Sequence, residues 1–357
     1  MINLFNDSKD LFLYLIPTCP IVDGPVRSCI YDLNRCDYYF IPRSLSDFLK
    51  KNNRVNLKDV KDLILKNEQF LNLIGDMYER EYLDFIDFDT MSLFSDLQFT
   101  KNQLNLLEIV ECLIEENKWS IIYEFIVESL ENGARHIILF YKGDDVRFIE
   151  KFLSIICDFN VESIILFLNS NYSIEWIMDL ENKYLKLCKI YCSSNANNCI
   201  IKSAFRGSNF AFITNNSFES LLPLNIDVNY FSVNIVSFTQ AFNFNLYYKG
   251  RVYFDGEFIK NSIQSQNIGI RFKKDDLQNL INSELFNLLP NSKKNEIDPC
   301  KNCEHKYMCY DPRIPIKLNN ILTYESDCKY NYYTNLWFEQ EGFEPLSFHL
   351  LGNKFKS

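Results

Sequence analysis

Apolar and polar positions follow two periods along this chain, and the changes between them mark its divisions. The run Leu11–Ile16 is short and apolar and reads as a strand. Ser28–Leu33 and Tyr38–Ile41 are β-rich runs separated by the polar Asn34-Arg35-Cys36-Asp37, which predicts a strand pair. Pro42 ends the second run, and Ser44 with Asp47 three residues on marks a helix start ahead of Leu45, Phe48 and Leu49. Asn56 is placed to cap a second helix with Leu57, Val60, Leu63 and Ile64 on its apolar face. A third carries Phe70, Leu71, Leu73, Ile74, Met77 and Tyr78 at helical spacing. Strands followed by three short helices within residues 1–98 predict a small winged-helix-like α+β unit.

From about Lys101 strands and helices alternate. The run 106–113 fits either period. Ile121, Ile122, Phe125, Ile126 and Leu130 mark a helix ending at Asn132-Gly133. His136–Tyr141, Ser163–Leu168 and Lys189–Cys192 read as strands, with helices Val146–Ile156 and Ile174–Leu187 between them and further strands at Phe210–Ile213 and Tyr230–Val236. Continuous apolar strands between helices predict a parallel sheet covered on both faces, so residues 99–243 are expected to form a partial or complete α/β barrel. In residues 244–357, Leu246–Phe254 and Glu257–Lys260 flank Asp255-Gly256, a strong hairpin signal. Asn267-Ile268-Gly269 and a helix over Asp275–Leu289 lead into a cysteine-rich end.

Composition narrows the classes. The 357 residues are 47% hydrophobic and include 31 Phe and 21 Tyr, enough for two or three cores and too apolar for disorder. A net charge of -10 with no basic face argues against nucleic acid. No apolar run reaches a membrane span, and Leu11–Ile16 follows Asp7, Lys9 and Asp10 instead of a basic signal-peptide region. Twelve cysteines without a secretion signal then point to the cytoplasm, where thiols stay free or bind metal. The middle of the chain has no Gly-rich phosphate loop, nucleophile elbow or H-E-x-x-H pattern. His136, inside an apolar strand, reads as a core histidine. Cys188, Cys192 and Cys199 read as core-packing thiols in preference to a second metal site.

Cys300, Cys303 and Cys309 are spaced C-x2-C-x5-C, and Cys328 follows after eighteen more residues. A C-x-x-C turn aims two sulfurs into one site, the other two close it from separate segments, and four soft ligands imply zinc or an iron–sulfur cluster. The order of hairpin with Asp-Gly turn, Ile-Gly step, helix, C-x2-C-x5-C and distant last cysteine resembles the SPASM domain, an auxiliary-cluster module fused behind a radical S-adenosylmethionine core. Cys300–Arg313 and Cys328–Trp337, with Arg27–Leu33 and Ile41-Pro42 near the N-terminus, are most similar to the SPASM-domain peptide maturases of grasp-with-spasm systems.

That resemblance implies a degenerate radical S-adenosylmethionine-like barrel, because the family's C-x3-C-x2-C is missing and Ile114-Glu115-Glu116-Asn117-Lys118 stands at its place. The ligand positions of a second SPASM cluster are Asn261 and Arg313 here. What remains is a single 4Fe–4S cluster on Cys300, Cys303, Cys309 and Cys328, with zinc as the alternative and no S-adenosylmethionine expected. The implied function is maturation of a ribosomally made peptide, with the N-terminal unit taking up the precursor by strand addition and a partner ATP-grasp ligase being assisted. The missing motif points to an accessory role and leaves catalysis by this chain open. The four-cysteine set also fits a zinc-ribbon scaffold without redox chemistry. Around it, Arg313 is a candidate cation for an anionic cluster, Tyr307 and Tyr310 are candidate shields, and His305 is a spare ligand. Tyr330, Tyr332, Tyr333 and Trp337 are expected to cover the domain.

Overall fold

In the first ninety-odd residues nearly every predicted element forms, with shifted ends. The computed structural model describes residues 10–95, 97–99, 107–169, 172–193, 199–203, 209–214, 231–263, 265 and 269–347. Strand β1 (Leu11–Leu15) is followed by β2 (Ile21–Asp23), β3 (Arg27–Asp32), β4 (Asp37–Pro42), α1 (Arg43–Asn52), α2 (Leu57–Leu65), α3 (Glu68–Glu79), β5 (Leu83–Asp87) and α4 (Phe88–Ser92). An antiparallel sheet has the order β2-β3-β4, and β1 pairs with β5, a strand the sequence pattern left unmarked. Helix α1 starts at Arg43, before the expected Ser44, because Pro42 supplies the N-cap with φ fixed at -57°. Asn56 and Asn67 cap α2 and α3 by accepting from the Lys58 and Phe70 amides.

The three-stranded sheet is buried on both faces, since successive side chains point to opposite sides. Ile30 and Ile41 face Leu45, Leu49, Ile64, Ile74 and Met77 of the helices. Cys29, Tyr31 and Phe40 face the other way, onto Phe238 and Met308 from the C-terminal half. The cysteine-rich loop therefore rests on the back of the N-terminal sheet.

The middle of the chain builds β6 (Ile109–Ile114), α5 (Trp119–Glu131), β7 (His136–Tyr141), α6 (Val146–Cys157), β8 (Ser163–Leu168), α7 (Ile174–Lys183), β9 (Leu187–Ser193), β10 (Cys199–Lys202) and β11 (Asn209–Thr214). The C-terminal half adds α8 (Ile235–Asn243), β12 (Arg251–Phe254), β13 (Phe258–Lys260), β14 (Ile270–Arg271), α9 (Leu277–Ile281), β15 (Pro315–Leu318), β16 (Ile321–Tyr324), β17 (Tyr330–Asn331) and β18 (Leu336–Trp337). Nine strands join in the order β10-β11-β9-β8-β7-β6-β12-β13-β14. From β11 through β12 every neighbouring pair in that order is parallel. The ambiguous run 106–113 thus supplies a strand, and the Asp255-Gly256 hairpin, with Gly256 at φ +90°, continues the central sheet beside β6.

Four expectations are corrected. Residues 246–250 form a turn, so the first strand of the hairpin covers only Arg251–Phe254. Ile235 and Val236 begin helix α8 instead of ending a strand, because Asn234 accepts from the Ser237 amide as an N-cap. The helix over Asp275–Leu289 is broken into α9 and a 3-10 turn at Phe286–Leu288. Among the described residues helices cover one face of the sheet and not both: α5, α6 and α7 share one core with Ile137, Leu139, Ile164 and Leu166. The opposite face carries Phe140, Phe167, Tyr191 and Phe212 at matching positions on successive strands, their rings stacked at 4.9, 4.7 and 5.2 Å. One-sided helices are the geometry of a barrel wall, but this sheet is open, with β10 and β14 at its edges. Asn267 and Ile268 of the Ile-Gly step, and Tyr230, lie outside the described residues.

Candidate metal centre

Cys300, Cys303, Cys309 and Cys328 line one cavity. Cys300 opens a 3-10 turn closed by the Cys303 amide donating to its carbonyl at 2.9 Å. The chain then doubles back, the Met308 and Cys309 amides both donating to the His305 carbonyl at 3.1 Å, and Cys309 bridges to Phe231. Cys328 arrives from the far side, just before β17. All twelve cysteines are free of disulfides. Two of the sulfurs already accept backbone hydrogen bonds from the residue two positions on: His305 N–H to Cys303 Sγ and Tyr330 N–H to Cys328 Sγ, each 3.4 Å. Such donors stabilise a thiolate over a thiol.

Burial pushes all four thiols above the ordinary cysteine range, Cys328 to about 11. Left to themselves they are protonated at neutral pH. Two cations oppose that tendency. Lys294, 3% exposed, donates from Nζ to the Cys309 carbonyl at 2.7 Å and lies 3.9 Å from Asp311. Burial works to lower the Lys294 pKa, yet Cys309, Asp311 and Cys300 around it outweigh burial and hold it above the usual lysine value. Arg313 grips Asp311 at 2.7 and 3.0 Å, donates to the Ser326 carbonyl at 2.6 Å and lies over the Tyr324 ring. Lys294 and Arg313 outnumber Asp311 beside Cys300, Cys309 and Cys328 and favour thiolates there, while the buried Glu304 works against a thiolate at Cys303. The donor set therefore fits a four-thiolate group. Among the described residues no three His, Cys, Asp or Glu side chains are arranged to hold a metal ion.

The remaining candidates divide. Arg313 stands where the sequence reading put it, its charge acting on Cys328 and Cys300. Tyr307 and Tyr310 do not shield the cavity: Tyr307 packs on Phe238 and Phe242, and Tyr310 joins Tyr247, Tyr248 and Leu289. Tyr330 and Trp337, expected only as cover, line the cavity because β17 and β18 pair them with rings 4.9 Å apart. Asn261 is buried and donates to the Phe286 carbonyl at 2.9 Å. Cys192 and Cys199 both flank Ile213, which puts them two strand spacings, about 10 Å, apart; Cys188 is four residues along β9, about 13 Å from Cys192. Cys192 and Cys199 belong to the main core. His136 is not a core residue: at the open end of β7 it is half exposed and bonds Ser163 at 2.8 Å.

Lys294 and Glu304 carry much of the site's electrostatics and were missed, because each sits in a polar run with no periodicity to mark it as buried. Glu304, 0% exposed, accepts from Arg27 Nε at 2.9 Å and from the Tyr330 hydroxyl, while Tyr31 donates to its carbonyl at 2.7 Å. Strand β3 is thus tied to the residue next to Cys303. After β6, Glu116–Lys118 form a 3-10 turn, with Lys118 paired to Glu115 and Glu116 accepting from Tyr141.

Fold and site define a mixed α/β protein with a large, mainly parallel sheet and a four-cysteine cavity against its N-terminal unit. No family profile matches the sequence and no curated protein matches it. Among solved structures, the crystal structure of Streptococcus suis SuiB bound to S-adenosylmethionine overlaps 83% of this chain and 94% of its own, at 9% identity and a TM-score of 0.29. An overlap that low carries no argument about this chain. No helix among the described residues is long and apolar enough to cross a membrane.

Proposed function

We propose that this chain is a maturation factor for a ribosomally made peptide, holding one 4Fe–4S cluster on Cys300, Cys303, Cys309 and Cys328. It binds the precursor through its N-terminal unit and assists a partner ligase of the ATP-grasp class. The observation that carries the metal centre is that all four cysteines, Cys300 and Cys309 of them buried, line one cavity with Lys294 and Arg313 beside it. A cluster with four thiolates has no open iron, so it supplies rigidity or an electron and does not bind substrate. The chain's own residues hold the surrounding charge: Lys294 and Arg313 offset the thiolates, and Glu304 links the loop to β3.

Strand β4 ends the N-terminal sheet and has no further strand beside it among the described residues. Next to it, one face of α3 carries Glu68, Gln69, Asn72, Leu73 and Asp76, and Tyr39 of β4 donates to Asp76. An extended precursor segment added to β4 would gain backbone hydrogen bonds there, and the acidic helix face favours a basic side chain on it. The grasp-with-spasm resemblance supplies the ligase partner.

Anaerobic purification followed by metal analysis tests the centre: brown protein with about four irons and four sulfides per chain is expected. Calorimetry with the cognate precursor tests the peptide site, and no measurable heat removes it. S-adenosylmethionine is left out because Glu115-Glu116-Asn117-Lys118 stands where three cluster cysteines would be needed; saturable binding of that cofactor overturns the omission. The same four sulfurs also suit a tetrahedral zinc ion, the alternative reading. Colourless protein with one zinc per chain decides for it.

A further inference from the structure

His305 lies in the wall of the sulfur cavity, 3% exposed, with neither ring nitrogen hydrogen-bonded among the described residues. Its Nε2 is 3.8 Å from Glu304, beyond hydrogen-bond reach, and that carboxylate is already engaged by Arg27 and Tyr330. The rings of Tyr38, Phe40, Phe231, Tyr330 and Trp337 surround the imidazole with centroids 4.7 to 6.3 Å away. In either protonation state an imidazole carries at least one ring N–H to donate. A buried polar side chain without a partner calls for a group that the protein alone does not provide. The cavity it faces is that of the four cysteines, and its own backbone amide already donates to Cys303 Sγ.

We propose that His305 is a positioning residue of the thiolate centre, donating its ring N–H to a sulfur of that centre and raising its reduction potential. The inference rests on the cluster reading above. A donor to sulfur stabilises the more negative, reduced state, so its removal shifts the couple toward the oxidised side. Its partner is the cluster's sulfur and not its iron, because four cysteines already complete the ligand set.

The test uses full-length protein purified anaerobically, with iron and sulfide measured first. Wild type, His305→Phe and His305→Asn are reduced stepwise with dithionite, which supplies the electron, and followed by electron paramagnetic resonance. His305→Phe is expected to retain its iron and to reduce about tenfold less favourably, which is about 59 mV for a one-electron couple. His305→Asn, which retains an N–H donor, recovers part of the shift. Wild type labelled with histidine carrying nitrogen-15 in the ring alone is expected to show a weak nitrogen coupling in the reduced cluster, separate from the His305 backbone amide that donates to Cys303 Sγ. That measurement needs no variant, so misfolding of His305→Phe leaves the test intact. Wild type with a cluster but no nitrogen coupling, or equal potentials in wild type and His305→Phe, overturns the inference alone. A coupling as strong as that of iron-bound nitrogen overturns it by making His305 a ligand. Wild type without iron fails the cluster reading itself and takes the inference with it.

Discussion

The tie between Arg27 and Glu304 joins the N-terminal sheet to the cysteine loop, and its strength is measurable as a coupling energy. Glu304 is fully buried and Arg27 is 24% exposed, their contact is 2.9 Å, and the guanidinium lies 3.5 Å over the Phe40 ring. Arg27→Met preserves much of the packing but leaves a buried carboxylate with Tyr330 as its remaining side-chain donor. Breaking a buried pair from one side costs about 3–5 kcal/mol; Glu304 keeps a partner, so the lower end applies. Glu304→Gln leaves Arg27 able to turn to water and costs less, about 1–2 kcal/mol. Once the carboxylate is gone, loss of Arg27 matters less, so the double variant falls short of the sum of the single effects by about 1–3 kcal/mol. Urea unfolding followed by tryptophan fluorescence reads all four proteins, with Trp337 reporting the cysteine end and Trp119 and Trp176 the central unit. Additivity within about 0.5 kcal/mol would refute the tie.

Further outcomes follow from the same coordinates. Lys294→Met removes one of two cations beside the sulfurs; metal is expected to leave faster under a chelator, and an unchanged loss rate sinks the electrostatic argument. Phe125 stacks on Phe254 at 4.5 Å and meets Phe272 edge-on at 5.4 Å, so Phe125→Ala should cost about 3–5 kcal/mol in chemical denaturation. A loss below about 1 kcal/mol would show that β12 does not rely on α5. For Asp23, burial acts to raise the pKa, but hydrogen bonds from Lys50, Ser46 and Ser28 prevail and hold it below the usual aspartate value. A lowered folded pKa means stability that is present above the unfolded value and lost as pH falls through the folded one. Asp23→Asn should therefore be less stable than wild type at neutral pH and match it in strong acid, and a gap that persists in acid contradicts this.

The sequence revealed elements wherever periodicity dictates burial. His136–Tyr141 and Ser163–Leu168 match β7 and β8 to the residue, because each alternates between the helix-covered core and the aromatic ladder, with apolar side chains on both faces. Asn56 announced α2 through its cap. Strand β5 was hidden because Leu83–Asp87 is five residues long, is broken by Asp84 and Asp87 at a spacing that does not alternate, and comes three residues after α3. The four cysteines were legible as a set from their spacing, since covalent chain length alone brings C-x2-C-x5-C together. The charges around them were not. Lys294 follows Lys293 in a run of polar residues and looks like solvated surface, and only the fold reveals that it points inward to Cys309. Arg27 and Glu304 are 277 positions apart, and nothing local in either segment signals the other.

Cys303, Glu304 and His305 are consecutive, so the sulfur, the tie to β3 and the unpaired imidazole cannot move independently. Any group that binds the four sulfurs fixes the turn from Cys300 to Cys303 and, one residue on, the carboxylate that holds Arg27 and accepts from Tyr330. Removal of that group lets the four thiols protonate and leaves Lys294 and Arg313 paired with Asp311. The surplus positive charge then favours loosening of the loop. The strain passes to β3, whose Tyr31 donates to the Glu304 carbonyl, and not to β7 and β8, whose partners all lie within the central sheet. Hydrogen exchange on metal-loaded and chelated protein should show protection lost over Arg27–Asp32 and retained over Ile137–Phe140 and Ile164–Phe167. Equal loss in both regions would mean that the metal supports the whole fold, and no loss in either would mean that the cysteine loop and the N-terminal sheet are mechanically separate.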